Sequence, residues 1–375
     1  MKKLLSLLIV FTLVLSLAAC GTTTPDPAPA PAPAPAPATP AAPAEPTEPL
    51  RVALLINGTL GDKSFFDSAD RGLKMAKEEY GDDFEFTTVE MTTDETKWLP
   101  TLYDYADDGS WDIIIVGTWQ MAEPLGEVAP QYPDQKFIIF DQDVDYSAGD
   151  MDNVYSILYK QNEVSFLAGA VAARLSETNI IGFLGGAENP VINDFLLGYI
   201  QGAKYAKDDI KVVVSFVGNF YDTPKGKDLA LAQYKNNGVD VGFNVAGLAG
   251  LGQIDAAQEV GKFAIGVDSD QALIFGEPTA NFIPTSALKN VDASIFRAVG
   301  MAYEEKVPYG EIENLGIAEG GVGIADNEFY QKLVPAEVRT EVEDLAAKIL
   351  SGEIKVDTAF GKSNEEIQAI KDAVK

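Results

Sequence analysis

The chain of 375 residues carries 28 Lys and Arg against 57 Asp and Glu, a formal net charge of −29. Such a charge repels phosphate, which argues against nucleic acid as a partner and indicates a well-solvated surface. The sequence has no histidine and a single cysteine, so the commonest general base and metal ligand are missing and no intramolecular disulfide is available. The composition therefore disfavours an enzyme and predicts neither a cofactor nor a bound metal.

The first nineteen residues predict an export signal. A basic start, Met1–Lys3, precedes an apolar run, Leu4–Leu17, that is too short to span a bilayer comfortably. The segment Leu17-Ala18-Ala19-Cys20 then resembles the lipobox of bacterial lipoproteins, and the only cysteine lies at the lipidated position. The resemblance implies cleavage before Cys20 and a lipid on its thiol; the alternative is an ordinary signal peptide with a chance cysteine. We expect a protein on the extracytoplasmic face of the cell membrane, held there by the lipid alone.

Residues 20–49 form the predicted tether. From residue 25 onward proline alternates with alanine, a pattern that forbids a helix and favours extended polyproline II. Such a segment is a semi-rigid spacer of about 3.1 Å per residue. It would hold the rest of the chain clear of the membrane.

From Arg51 onward, short apolar runs alternate with amphipathic stretches. The first series predicts strands at 51–57, 84–91, 112–117 and 136–141, with helices at 64–80, 95–107 and 121–131. The second series predicts strands at 180–186, 212–218, 241–247 and 263–270, with helices at about 191–207, 225–237 and 252–261. Nearly continuous apolar strands joined by helices indicate parallel sheets covered on both faces. We therefore predict an α/β fold of two doubly wound lobes, assigned to 51–160 plus about 289–312 and to 161–288 plus about 313–375.

Each predicted strand ends in small or polar residues, such as Asn57-Gly58 after the first strand. In open parallel sheets, ligands lie outside the carboxyl ends of the strands. Two lobes that face each other with such edges form a cleft, which can close about a hinge. The sequence thus predicts a ligand between the lobes.

Candidate residues of the first lobe follow its first and third strands. Asp62 or Ser64 would cap the helix that begins there. The rings of Phe65 and Phe66 cannot both face inward, so one would pack in the core while the other meets the cleft. Trp119 could stack on a planar ligand, or pack beneath a loop.

The second lobe and the crossing between the lobes supply the other candidates. Phe220 follows a strand end, and the glycine-rich loop that starts at Gly247 would let the backbone approach a ligand or the opposite lobe. Lys289 could hold a ligand hydroxyl or pair with Asp268. Three carboxylates lie at strand ends: Asp141, Asp268 and Asp270. Such groups can accept hydrogen bonds from ligand hydroxyl groups, although we expect one of the three to cap a turn or a helix instead. Phe195 lies within a helical run, which favours the core.

Several segments in order resemble the basic membrane protein family of substrate-binding lipoproteins, which includes purine nucleoside receptors. They are GDKSFFDSADRGL (61–73), SFLAGAVAARLS (165–176), KGKDLALAQY (225–234), AIGVDSDQ (264–271), TSALKNVDASIF (285–296) and EGGVGIAD (319–326). The resemblance implies a type I periplasmic-binding-protein fold, with a permease and its ATPase as partners. It also implies a base held between Phe65 and Phe220 and a ribose held by Asp141, Asp268 and Lys289.

The chain departs from the family at two places. Gly61 and Phe66 replace the usual Asn on either side of the Asp-Lys-Ser-Phe motif, and the loop 247–250 lacks its usual threonine. Both changes remove polar groups that could form hydrogen bonds with the edge of a base. Phe66 and Trp119 would suit a larger flat ligand such as a flavin. The leading hypothesis is a monomeric nucleoside receptor of an ABC importer. A riboflavin receptor and a surface interaction protein remain alternatives. A calcium-dependent nucleosidase is disfavoured, because such an enzyme needs a dense aspartate cluster and this sequence has none after its first strand.

Overall fold

The computed structural model describes residues 48–375, a part of the chain that consists of alternating strands and helices. The strands are β1 (Leu50–Ile56), β2 (Phe84–Glu90), β3 (Ile113–Gly117), β4 (Lys136–Phe140), β5 (Val154–Tyr159), β6 (Ile180–Gly185), β7 (Lys211–Phe216), β8 (Val241–Val245), β9 (Phe263–Asp268), β10 (Ser286–Lys289), β11 (Ile312–Leu315) and β12 (Val322–Ile324). The α-helices are α1 (Phe65–Tyr80), α2 (Trp98–Asp108), α3 (Ala122–Val128), α4 (Gln161–Leu175), α5 (Pro190–Ala206), α6 (Thr223–Asn236), α7 (Leu251–Val260), α8 (Gln271–Phe275), α9 (Val291–Tyr303), α10 (Glu328–Leu333), α11 (Ala336–Leu350) and α12 (Asn364–Asp372). The export signal, Cys20 and most of the tether lie outside the described residues.

The strands form two six-stranded sheets, each of which makes one lobe. The first has the order β11-β5-β4-β3-β1-β2 and is parallel throughout. The second has the order β12-β10-β9-β8-β6-β7, in which only β12 runs antiparallel to its neighbour. Strands such as β3 are buried along their whole length, as expected when helices cover both faces of a parallel sheet. The predicted two-lobe α/β fold is confirmed.

The chain passes between the sheets three times. It leaves the first sheet after β5, returns after β10, and leaves again between β11 and β12. The predicted lobe boundary near residue 312 falls at the start of β11, which pairs with β5 of the first sheet. Each lobe is therefore built from separate stretches of sequence.

Helices α4 and α5 pack backbone to backbone beneath the second sheet. A Cβ added to Gly202 would lie 1.8 Å from the Phe166 carbonyl oxygen, and one added to Gly169 would lie 2.1 Å from that of Tyr199. Glycine is the only residue that permits so close an approach. This contact fixes α5, which carries Phe195 toward the cleft residues described below.

Across residues 48–375, no helix combines the length and the apolar character that crossing a membrane would require.

Candidate functional site

The segment that leads into α1 is organised by a buried carboxylate. Asp62 accepts hydrogen bonds from the backbone N–H groups of Ser64, Phe66 and Asp67, at 3.0, 2.8 and 3.1 Å. Ser64 occupies the N-cap position but makes no capping bond, so the expected capping role falls to Asp62. Burial raises the pKa of Asp62 to about 6, although the three N–H donors oppose this shift. Asp62 therefore holds the loop that presents Ser64 and the two phenylalanines.

Phe65 and Phe66 both lie at the carboxyl edge of the first sheet. Their ring centroids are 5.2 Å apart, and Phe65 lies 5.3 Å from the ring of Phe140 at the end of β4. Phe66 covers Gly58, where an added Cβ would lie 2.4 Å from a ring carbon. Both rings are half-buried and pack against the main core. The expected division into one core ring and one cleft ring is therefore not what the structure has.

A buried cluster of three charges joins the two lobes. Lys289, at the end of β10, places its Nζ 2.6 Å from Asp141 Oδ1 and 3.9 Å from Asp268 Oδ1. Asp141 follows β4 of the first sheet, whereas Asp268 ends β9 of the second. Ser64 Oγ donates to Asp268 Oδ2 at 2.7 Å. The carboxylates and lysine that the sequence predicted thus lie together, and Lys289 pairs most closely with Asp141 rather than with Asp268.

Burial is the main influence on the charge of this cluster. It raises the pKa of both Asp141 and Asp268, and the ammonium group of Lys289 opposes the shift in each case. Asp141 and Asp268 also have backbone φ angles of 68° and 61°, in the left-handed region that non-glycine residues seldom adopt. Strained backbone of this kind is concentrated at functional sites.

Aromatic rings surround the ammonium group of Lys289. Its Nζ lies 5.0 Å from the ring centroid of Phe65, 4.9 Å from that of Phe195 and 5.7 Å from that of Tyr159. Cation–π attraction of this kind is stronger when the charge is removed from water, and Lys289 is 2% exposed. Phe195 is a core residue, as its helical position indicated. These contacts place the charged cluster directly beside the Phe65 ring.

Phe220 lies at the carboxyl edge of the second sheet, after β7. Its half-buried ring rests on Gly186, where an added Cβ would lie 2.3 Å from a ring carbon. Gly247, with φ of 54°, approaches Phe220 from the other side, and the Phe220 carbonyl accepts from Ala249 N–H at 2.9 Å. The loop at Gly247 therefore supports Phe220 within its own lobe.

The carboxyl edges of the two sheets meet at the start of α1. Ser269 Oγ donates to the Ser64 carbonyl at 3.0 Å, and Gln271 Nε2 donates to the Lys63 carbonyl at 3.2 Å. These bonds, with those of the charged cluster, connect the edge that carries Phe65 to the edge that carries Asp268. The candidate site is the region where these two edges meet, around Phe65 and the charged cluster.

The remaining candidates are exposed to solvent or have structural roles. Trp119 follows β3 and is 44% exposed, so it does not pack beneath a loop. Asp270 caps α8 through Leu273 N–H and accepts both hydrogen bonds of the Asn327 amide, which makes it the structural carboxylate of the three. Within residues 48–375, no group of three or more potential ligand side chains is placed to hold a metal ion. Sequence reasoning missed the role of Ser64 toward Asp268, and it treated Asn57 only as part of a strand end.

Comparison with known proteins identifies the class to which this architecture belongs. Residues 50–359 match the family described as ABC transporter substrate-binding protein PnrA-like. Basic membrane protein A1 of Borrelia garinii subsp. bavariensis is 36% identical over 311 residues, which cover 82% of this chain and 88% of that protein. An uncharacterised lipoprotein of Pyrococcus furiosus is 30% identical over 367 residues, with 86% and 88% covered.

A solved structure agrees with these relatives. The ABC transporter solute-binding protein of Aeropyrum pernix K1 superposes with a TM-score of 0.76 at 29% identity, covering 87% of this chain and all of that one. The family consists of binding proteins rather than enzymes, which confirms the prediction made from the composition. The chain belongs to the PnrA-like family of ABC transporter substrate-binding proteins.

Proposed function

We propose that this binding protein captures a purine nucleoside, or a similar nucleoside, in the cleft between its lobes and delivers it to the permease of an ABC importer. The observation that carries the proposal is the charged cluster of Asp141, Asp268 and Lys289 beside the Phe65 ring. Ribose offers hydroxyl groups that both donate and accept, and the cluster supplies carboxylate acceptors and an ammonium donor. The neighbouring ring supplies a flat apolar surface for a base.

The second lobe contributes the other surface for the base. Phe220 lies at its carboxyl edge, so a base that stacks on both Phe65 and Phe220 requires the two lobes to be closed around it. Closure would also remove the ligand from water, which strengthens every hydrogen bond to the buried cluster. Binding without chemical change is what an importer needs from its receptor.

The proposal includes the membrane. A lipid on Cys20 would keep the receptor beside its permease, and the Pro/Ala-rich tether would set how far the binding domain can reach. The receptor would act as a monomer, with the permease and its ATPase as partners.

Isothermal titration calorimetry of the purified protein with inosine, guanosine, adenosine and riboflavin tests the proposal. We expect heat of binding with at least one purine nucleoside and no appearance of free base and ribose afterwards. Riboflavin is the second candidate because Trp119 is exposed after the end of β3 and Phe66 adds a ring beside Phe65. Tight riboflavin binding without any nucleoside binding would replace the nucleoside by a flavin, and release of free base would make the protein an enzyme.

A further inference from the structure

Ser269, which directly follows β9 of the second sheet, forms its side-chain hydrogen bonds with the opposite lobe. Its Oγ donates to the Ser64 carbonyl at 3.0 Å and accepts from Arg71 Nη2 at 3.2 Å. Both partners belong to α1 or to its N-cap. The residue is 2% exposed, and its single hydroxyl proton is already used. The side chain of Ser269 therefore connects the two lobes.

Arg71 is held in place within the first lobe. Its Nε donates to Asp292 Oδ2 at 2.8 Å, and its Nη2 also donates to Ser68 Oγ at 3.2 Å. Asp292 belongs to α9, which packs against α1. Because the guanidinium group is already oriented by these partners, little further ordering of a long side chain is needed when it meets Ser269.

Gln271 provides a second connection of the same kind. Its Oε1 accepts from the Val267 N–H and from Asn244 Nδ2, both at 3.1 Å and both within the second lobe. These two bonds orient the buried amide so that Nε2 donates across to the Lys63 carbonyl at 3.2 Å. The polar atoms of this side chain are thus satisfied by protein groups.

These connections are separate from the places where the chain itself joins the lobes. The chain passes between the sheets after β5, after β10 and between β11 and β12, whereas 205 residues separate Ser64 from Ser269. Contacts that the chain does not hold together can separate when the lobes move apart. Because the donors and acceptors are protein groups, the contacts favour the arrangement in which the two edges meet whether or not a ligand is bound.

We propose that Ser269, together with Arg71 and Gln271, forms a latch that stabilises the closed arrangement of the two lobes without contacting the ligand. Ser269 is then a positioning residue. This inference rests on ligand capture between the lobes, which is part of the proposed function. A ligand that binds the closed form has an apparent dissociation constant equal to its intrinsic constant divided by the closed fraction. Weakening the latch lowers that fraction, so it weakens the binding of every ligand by the same factor.

Calorimetry with inosine, guanosine, adenosine and riboflavin on the wild type and on Ser269→Ala tests the latch. Alanine removes the hydroxyl group and little else. The Ser64 carbonyl keeps its helical bond from the Ser68 N–H at 3.1 Å, and Arg71 keeps its bond to Asp292. We expect the affinity for each ligand that the wild type binds to fall by the same factor, about 3- to 10-fold, because hydrogen bonds between the lobes are lost. The ratio of affinities between ligands should not change.

Ser215→Ala is the matched control, because Ser215 Oγ accepts from Gln233 Nε2 at 3.1 Å and both residues belong to the second lobe. It should leave every affinity within twofold. Unchanged affinities for Ser269→Ala would overturn the inference, since its bonds would then persist when the lobes open. Unequal weakening of different ligands would also overturn it, because Ser269 would then act on the ligand site itself. In either case the nucleoside function stands.

Hydrogen exchange of the full-length protein without ligand, followed by mass spectrometry, tests the latch independently of binding. Residues 63–71 should exchange faster in Ser269→Ala than in the wild type, because more frequent opening exposes this segment, and Ser215→Ala should not change their exchange. Equal exchange in all three proteins would contradict the latch. Failure of the wild type to bind any of the four ligands would refute the proposed function, and the exchange result would still decide whether the latch exists.

Discussion

Replacing Lys289 by methionine would test whether the buried charges are held by this one ammonium group. Its Nζ lies 2.6 Å from Asp141 and 3.9 Å from Asp268, so at an effective dielectric constant of about 20 the attractions are about 6 and about 4 kcal/mol. Methionine also avoids the cost of burying a charged lysine, which offsets part of the lost attraction. Removing one partner of a buried ion pair generally costs about 3–5 kcal/mol of stability. We expect Lys289→Met to lower the free energy of unfolding by that amount at pH 8, measured by urea denaturation.

The pH dependence gives the sharper test. Burial raises the pKa of Asp141 and Asp268 in the folded protein. The folded state therefore holds these protons to a higher pH than the unfolded state does. The fold loses stability as the pH rises from the unfolded pKa through the folded pKa, and the loss is complete above the folded pKa. Removing Lys289 takes away the charge that opposes this shift, so both pKa values rise further. The difference in unfolding free energy between Lys289→Met and wild type should therefore be smaller at pH 5 than at pH 8, because a proton can replace the lysine.

Lys371 offers a matched control, since it is also a buried lysine with a carboxylate partner. Its side chain is 8% exposed, but Glu188 is 51% exposed and water can replace the ion pair. Lys371→Met should cost about 1 kcal/mol, with the same loss at both pH values. A loss for Lys289→Met that is equally small, or that does not change with pH, would refute the view that the cluster is held in its charged form by Lys289.

The ligand contacts and the anchor give three further predictions. Phe220→Ala should weaken nucleoside and free base alike by about 1–3 kcal/mol in calorimetry; unchanged affinity for the base would remove Phe220 from the stacking site. Asp268→Asn should weaken nucleoside by about 2–5 kcal/mol and free base little, whereas Asp270→Asn, the control at the α8 cap, should change neither; equal effects of Asp268→Asn on both ligands would make Asp268 structural. Cys20→Ala should release the protein from membranes in cell fractionation, and a variant that still sediments with them would contradict the lipid anchor.

The alternation of strands and helices could be predicted because the strands of both sheets are apolar and are separated by amphipathic helices. Helix α4 was missed for the opposite reason: most of its residues are buried on every side, including the run Val164 to Ala173, so it lacks the polar face that marks a helix in sequence. The short strand β12, with three residues, carries too little pattern to be recognised. Its place depends on pairing with β10, which only the folded chain provides.

Part of the candidate site could be predicted, because its charged residues directly follow predicted strands. Asp141 and Asp268 could be named because each follows an apolar run, and Lys289 because it ends another. A pairing of Lys289 with Asp268 was expected from the sequence, but the closer pairing with Asp141 was not. In the sequence 148 residues separate Asp141 from Lys289, and two different sheets bring them together. The sequence also could not show whether Asp62 or Ser64 caps α1, because both residue types are good caps. The backbone geometry of the folded loop decides in favour of Asp62.

The three passages of the chain between the sheets have a consequence for how such receptors can diversify. Because each sheet takes strands from separate stretches of sequence, with β11 and β12 near the end of the chain, no single cut yields two complete halves. An exchange of gene fragments at a single cut between two relatives would always leave at least one sheet with strands from both parents. If the ligand is held between the sheet edges as proposed, new ligand preferences are more accessible through single substitutions at those edges, where Phe65 and Phe220 lie, than through the exchange of intact lobes.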